Sequence, residues 1–344
     1  MHAVDLLPVE NAEQDGGKSG DAIVVEFPFE SEARQAVMII DGGRTYTSDQ
    51  LIDHVREHCR TSVVDLMICT HPDADHLNGL TRVVEELRVR ELMIHLPFNH
   101  HEDISEFSNL EALLGLIKTA IAQGTDITEP FTGLTRFAGQ LEILGPSLEY
   151  YQELLFEQLG ADNHIIASAE VMFKRAKSKL KEILSHVPLE TLDNLGQTSA
   201  RNNSSVITLL RADQKRMLFT GDAGITALEH AAQRYEATVG PFSSMPISMF
   251  QVPHHGSRRN LGPAILDRIL GPKESPYAKY TAVISSAKVD EDHPSPKIVN
   301  ALLRRGCSVI ATEGNTISYG DGWKSRTGWT PIQSLQYSAE DDDD

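Results

Sequence analysis

The stretch that decides the fold is Val63-Val64-Asp65-Leu66-Met67-Ile68-Cys69, followed at once by Thr70-His71-Pro72-Asp73-Ala74-Asp75-His76. The first half is an apolar run of strand length, rich in β-branched and aliphatic residues. The second half packs two imidazoles and two carboxylates into six residues, just before a helical pattern that opens near Gly79. Alternate residues of a loop leaving a strand share a direction, so such a cluster converges on metal ions. The plainer reading, a polar loop whose carboxylates cap the next helix, explains neither the density of the cluster nor its two histidines.

Outward from this point the chain repeats the same grammar. Apolar runs at residues 21–27 and 36–40 precede it, and runs at 205–210, 217–220, 247–252, 281–285 and 308–311 follow, each ending at a polar or glycine-containing turn. Strands interleaved with helices predict a layered α/β domain over residues 1–335. The middle differs, because from Ser147, a good N-cap after Gly145-Pro146, the pattern stays helical to about Leu195. Residues 148–201 therefore read as a helical insertion. Lys174, Arg175, Lys177, Lys179 and Lys181 give it a basic face, either a solvated surface or one that meets a substrate or protein partner. Residues 336–344 read as an acidic disordered tail.

Composition narrows the function. Against 31 Lys and Arg stand 49 Asp and Glu, a formal charge of −18. That balance disfavours a dedicated binder of duplex nucleic acid but leaves a metal-assisted phosphate substrate open, since bound cations reverse the local field. The three cysteines Cys59, Cys69 and Cys307 lie in apolar surroundings and read as free thiols, which predicts a reducing, cytoplasmic setting. No segment has the apolar length of a membrane span or a signal-peptide core, so no membrane role is expected.

Three further segments complete a site. Phe219-Thr220-Gly221-Asp222 puts a carboxylate directly after a strand, where it could bridge two cations. Val252-Pro253-His254-His255-Gly256-Ser257 follows another strand with paired histidines beside glycine, and either histidine could be the ligand. Asp292-His293-Pro294-Ser295-Pro296 precedes a helical pattern that ends at Gly306. Each alone is as easily a turn or a surface loop.

The order of these segments, together with Gly20-Asp21-Ala22, Ile40-Asp41-Gly42-Gly43 and Asn202-Asn203-Ser204-Ser205, resembles the metallo-β-lactamase domain of ComEC-type competence proteins across nearly the whole chain. The resemblance implies an αββα sandwich with its site along one edge of two sheets. It implies that His71 and Asp73 bind one divalent ion, that Asp75 and His76 bind a second, that Asp222 bridges them, and that His254 or His255 supplies the late histidine. Many family members carry another histidine between the first motif and Gly-Asp. Here that region offers Asn202 and Asn203, while His164 and His186 fall within the helical insertion. Mixed carboxylate and imidazole donors suit Mn2+ as well as Zn2+.

The activity expected is metal-dependent hydrolysis, with Asp75 orienting the water and a phosphodiester of a nucleic acid or nucleotide as substrate, that is, a nuclease or phosphodiesterase. His293 is a candidate catalytic residue beside Asp75, and Asn203, Ser257 and Lys288 are candidates for contacting substrate. Two other classes compete. One is an acyl hydrolase acting on an ester, thioester or lactone, which needs an apolar pocket. The other is a partly metal-depleted interaction subunit of a multi-protein system, such as a defence operon.

Overall fold

The computed structural model describes residues 1–11, 13, 17–159, 190–273, 280–320 and 329–340. The basic residues between Lys174 and Lys181, with His164 and His186, lie outside the described residues. Among the described residues sixteen strands run in chain order: β1 Ala3–Leu6, β2 Ala22–Phe29, β3 Arg34–Gly42, β4 Val63–Val64, β5 Leu66–Ile68, β6 Arg88–Val89, β7 Glu91–Met93, β8 Asp126–Thr128, β9 Thr135–Arg136, β10 Leu141–Gly145, β11 Ile207–Ala212, β12 Lys215–Phe219, β13 Met249–Gln251, β14 Tyr280–Ile284, β15 Cys307–Ala311 and β16 Ile317–Gly320. They form two seven-stranded sheets, ordered β16-β1-β2-β3-β5-β7-β8 and β15-β14-β13-β12-β11-β10-β9, and a two-stranded ribbon of β4 and β6.

The apolar runs of the sequence are continuous because most strands are buried on both faces. In β2, Ile23, Val25 and Phe27 point into the core between the sheets, while Ala22 and Val24 face helices. In β12, Met217 and Phe219 point between the sheets, and Leu218 faces the opposite helical layer.

The helices cover the two outer faces. Against the first sheet lie α1 Ser48–Glu57, α3 Leu80–Glu86, α4 Leu110–Gln123 and α5 Leu148–Leu159, through residues such as Leu51, Val83, Leu116 and Leu155. Between α1 and α3 sits the single turn α2, Ala74–Leu77. After the one-turn α6, Ala200–Asn203, the helices α7 Ile225–Thr238, α8 Pro263–Leu270 and α9 Pro296–Arg304 cover the second sheet through Leu228, Leu266 and Ile298. Three apolar clusters thus separate four layers, the αββα order that the resemblance implied. No helix among the described residues is long and apolar enough to cross a membrane.

Two boundaries move. Ser147 does cap α5, its Oγ accepting the N–H of Tyr150 at 3.1 Å, and Tyr151 and Leu155 of α5 belong to the core, so residues 148–159 pack as a helix of the layer. Residues 190–199, expected to end a helix, form none. The acidic tail is anchored as far as Glu340, whose carboxylate accepts from Thr191 and Asn300 and pairs with the buried Arg304 at 2.7 Å.

The metal-type loop is clamped to the first sheet at one close approach. Gly79 N–H donates to Gly43 C=O at 2.9 Å, and a Cβ on Gly79 would stand 2.0 Å from the carbonyl oxygen of Gly42. No side chain fits there without moving the backbone. Gly79→Ala is expected to destabilise the protein by about 2–3 kcal/mol through this overlap, read as a lower urea midpoint at unchanged slope. A midpoint equal to wild type would show that the loop is not clamped here.

Candidate metal centre

Strand direction alone gathers the site at one edge. Strands β3, β5 and β7 run parallel, as do β12, β13, β14 and β15, so their C-terminal ends carry Asp41, the 71–76 loop, Asp222, His254-His255 and Ser285 in turn. Asp21 and Ser205 join from the starts of the antiparallel β2 and β11. Crevices beyond the carboxyl ends of parallel strands are where layered α/β folds bind ligands.

Here the sequence-predicted residues meet. Asp222 Oδ2 lies 3.6 Å from His71 Nε2 and 3.6 Å from His254 Nε2, and its Oδ1 lies 3.4 Å from His76 Nε2. Asp73 Oδ2 is 3.7 Å from His71 Nε2, and Asp75 Oδ2 is 3.8 Å from His255 Nε2. These separations are too long for hydrogen bonds. They match the spacing of two ligands on one ion, since atoms about 2.1 Å from a tetrahedral centre stand about 3.4 Å apart. His71 Nε2, His76 Nε2, His255 Nε2 and Asp222 Oδ1 are all buried without a hydrogen-bond partner. Four orphaned polar atoms facing one another are costly unless a cation satisfies them together. The groups His71, His76, Asp222 and Asp75, His76, His255 each bring three ligand atoms within 4.8 Å of one another.

The other ring nitrogens are held so that these Nε2 atoms stay free. His76 Nδ1–H donates to Asp41 Oδ2 at 2.7 Å, and His255 Nδ1–H donates to the Ser285 carbonyl at 2.9 Å. Asp41 also accepts from Thr70 N–H at 2.7 Å and from Thr70 Oγ1–H at 2.6 Å, which leaves that hydroxyl to accept from His71 Nδ1–H at 3.1 Å. The Nδ1 of His254 sits 3.0 Å from Asn260 Oδ1, whose amide is oriented by donating to the Asp222 carbonyl at 2.7 Å. Such supporting partners fix tautomer and ring angle in metal sites.

Electrostatics points the same way. Burial alone would lower the pKa of His76, yet Asp222 and Asp41 outweigh it and push it well above the usual range. His255, likewise opposed by burial, is pushed up to about 9 by Asp222, Asp75 and Asp21. Burial would raise Asp222, but His76, His254 and His255 hold it well below the ordinary carboxylate range. The cluster is short of positive charge, which is the electrostatic condition for binding divalent ions.

No protein-family model matches the chain, and no curated protein matches it. Among solved structures it is similar to CmlA, a diiron β-hydroxylase from Streptomyces venezuelae, at 13% identity and TM-score 0.46, over 92% of this chain and 54% of that one. A metallo-β-lactamase from Cronobacter sakazakii with a HARLDQ motif is similar at 10% identity and TM-score 0.34, over 71% and 76%. The chain spans about half the length of CmlA.

The remaining candidates scatter. His293 stacks on His254 with ring centroids 5.7 Å apart, and burial together with the nearby His255 lowers its pKa. Ser257 lines a groove with His254 and His293. Asn203 Oδ1 accepts the N–H of Gly224, two residues past Asp222, at 3.1 Å. Lys288 lines a separate cavity with His54, His58 and Trp329.

Two participants, Arg201 and Gln251, escaped the motif reading, and Asn202 entered it only as part of the Asn202-Asn203-Ser204-Ser205 segment. Arg201 Nε pairs with Asp73 Oδ1 at 2.9 Å. Gln251 Oε1 accepts from Thr220 N–H and Gly221 N–H at 2.6 and 2.9 Å while its amide donates to Asp21 at 3.2 Å, tying the Asp222 turn to the first sheet. Asn202 stands 3.1 Å from His254 Nδ1. Only a repeated polar residue at a strand end hinted at any of them.

Proposed function

We propose that this chain is a metal-dependent phosphodiester hydrolase. The observation that carries the reading is the convergence of buried, unpartnered His71, His76, His255 and Asp222 atoms, beside His254, which stands 3.6 Å from Asp222 and lines an open, polar groove. An acyl hydrolase would want an apolar pocket beside the same atoms. The apolar cavity behind His71, lined by Ile94, Phe107 and Leu113, measures about 10 Å3, room for one water molecule. The order of motifs, which resembles ComEC-type domains, leans the substrate further toward nucleic acid or nucleotide.

In this reading His71, Asp73, His254 and Asp222 Oδ2 would hold one divalent ion, and Asp75, His76, His255 and Asp222 Oδ1 the second. Both late histidines then serve, His254 supplying the imidazole that Asn202 and Asn203 do not. Two such ions supply an acidified water and a clamp on phosphoryl oxygens. Of the carboxylates, Asp75 is half-buried and ionised, with Oδ2 3.8 Å from His255 Nε2, so it would orient the attacking water and accept its proton. Asp41 acts through His76, as a positioning residue. The donor set, two oxygens and two nitrogens at each position, admits Mn2+ beside Zn2+.

Metal analysis and a substrate panel test this. Expected are two metal equivalents per chain and EDTA-sensitive hydrolysis of bis(p-nitrophenyl) phosphate and of oligonucleotides with Mn2+ or Zn2+. Cleavage confined to esters, thioesters or lactones would replace the reading with acyl hydrolysis. No bound metal after metal-replete purification would leave an interaction subunit.

A further inference from the structure

A groove of about 640 Å3 opens directly from His254 and His293. One part of its wall is Ser257-Arg258-Arg259, the loop leaving the histidine pair, and another is the first turn of α9 with Lys297. Asn260, buried and bonded to the Asp222 carbonyl, pins the far end of that loop, so both arginines spring from fixed backbone within five residues of His254.

Two of these cations, Arg259 and Lys297, are unusual for this chain. With 49 acidic residues against 31 basic ones, its arginines are mostly spoken for: Arg34, Arg136, Arg211, Arg268 and Arg305 all pair with carboxylates. Among the described residues Arg259 and Lys297 have no carboxylate within ion-pair distance, and Arg258 and Arg259 are exposed. Exposed guanidinium forks beside a catalytic edge match phosphate oxygens in shape and charge. The free end of α9 adds its dipole to the same wall.

What the groove lacks is equally informative. Among the described residues no Phe, Tyr or Trp lines it, so it offers no platform on which bases stack. Glu291 and Asp292 also line it and repel a second phosphate backbone.

We propose that Arg258, Arg259 and Lys297 bind the phosphates flanking the scissile one on a single nucleic-acid strand, reading backbone charge and not bases. This rests on the phosphodiesterase reading above.

The test compares bis(p-nitrophenyl) phosphate, which has no flanking phosphate, with single-stranded oligothymidylate and oligoadenylate, a duplex of matched length and a cyclic dinucleotide. The metal-loaded Arg258→Ala/Arg259→Ala/Lys297→Ala variant should raise KM for both oligomers about tenfold or more, beyond any change with the small diester. The salt slope of oligomer binding should flatten by ~0.7 for each phosphate that the variant no longer neutralises. Wild type should favour single strand over duplex and treat the two base compositions alike. Unchanged oligomer KM and salt slope in the folded variant would overturn the inference, as would a strong base preference. Cyclic dinucleotide turnover matching the oligomers, with the same loss in the variant, would instead assign these residues to a small nucleotide. If wild type fails on every diester, including the small one that has no flanking phosphate, the phosphodiesterase reading falls and this inference falls with it.

Discussion

Asp222→Asn is expected to abolish turnover, by roughly a thousandfold or more, and to leave the metal-loaded protein with at most one equivalent of metal. The expectation comes from how many groups depend on one carboxylate. Its two oxygens face three imidazoles, with Oδ2 at 3.6 Å from both His71 and His254 and Oδ1 at 3.4 Å from His76. Its backbone is fixed as well, N–H donating to Ser205 Oγ at 3.1 Å and C=O accepting from Asn260 at 2.7 Å. An asparagine therefore keeps the position but supplies one neutral oxygen and one amide that can only donate. That amide faces atoms that must bind a cation. The fold should survive, since the backbone bonds of Asp222 to Ser205 and Asn260 do not depend on its carboxylate. Metal content by mass spectrometry of the elements and far-ultraviolet circular dichroism separate the two effects. A variant that retains two metals and normal turnover would remove Asp222 from the centre of the site.

How much of this is legible in the sequence follows the distance over which information must travel. The 71–76 cluster is readable because its ligands are near neighbours on one loop. Asp222 and His254-His255 are readable because each follows an apolar strand, and parallel strands put their following loops at one edge. Asp41 shows the limit. Its bond to His76 requires β3 beside β5, with Ile40 opposite Ile68, a register that no local pattern encodes. The same holds for Gln251, whose amide reaches Asp21 across 230 residues, and for Arg201, whose pairing with Asp73 needs two distant loops to meet. Which of two adjacent histidines binds metal is undecidable from sequence. Consecutive positive φ values of 49° and 56° at His254 and His255 splay the rings, one toward Asp222 and one toward Asp75, so each histidine meets a different carboxylate. Lys288 fails for the opposite reason. The turn after β14 is pulled toward the N-terminal segment, where Ser19 Oγ donates to Asp290 at 2.7 Å, and Lys288 goes with it.

Asp75→Asn should behave differently from Asp222→Asn, and the contrast is the sharper test of mechanism. Asp75 lies in the single turn α2, its Oδ2 3.8 Å from His255 Nε2 and 3.9 Å from an Arg44 nitrogen. Burial would raise its pKa, but His255 and His76 hold it well below the usual carboxylate range, so it is ionised at neutral pH. It touches one proposed ion and not the other, and no imidazole besides His255 comes within 4.0 Å of it among the described residues. The amide should therefore retain the first metal fully and the second more weakly, while kcat falls ~100-fold or more through loss of the group that orients water and takes its proton. KM should move little, because the flanking phosphates are held elsewhere. Asp73→His provides the companion measurement. It exchanges an oxygen donor for an imidazole nitrogen at that place and shifts preference from Mn2+ toward Zn2+, at the cost of the 2.9 Å pair with Arg201. Turnover of Asp75→Asn near wild type with metal in excess would assign the water to another residue. A drop in kcat that excess metal fully restores would make Asp75 a ligand alone.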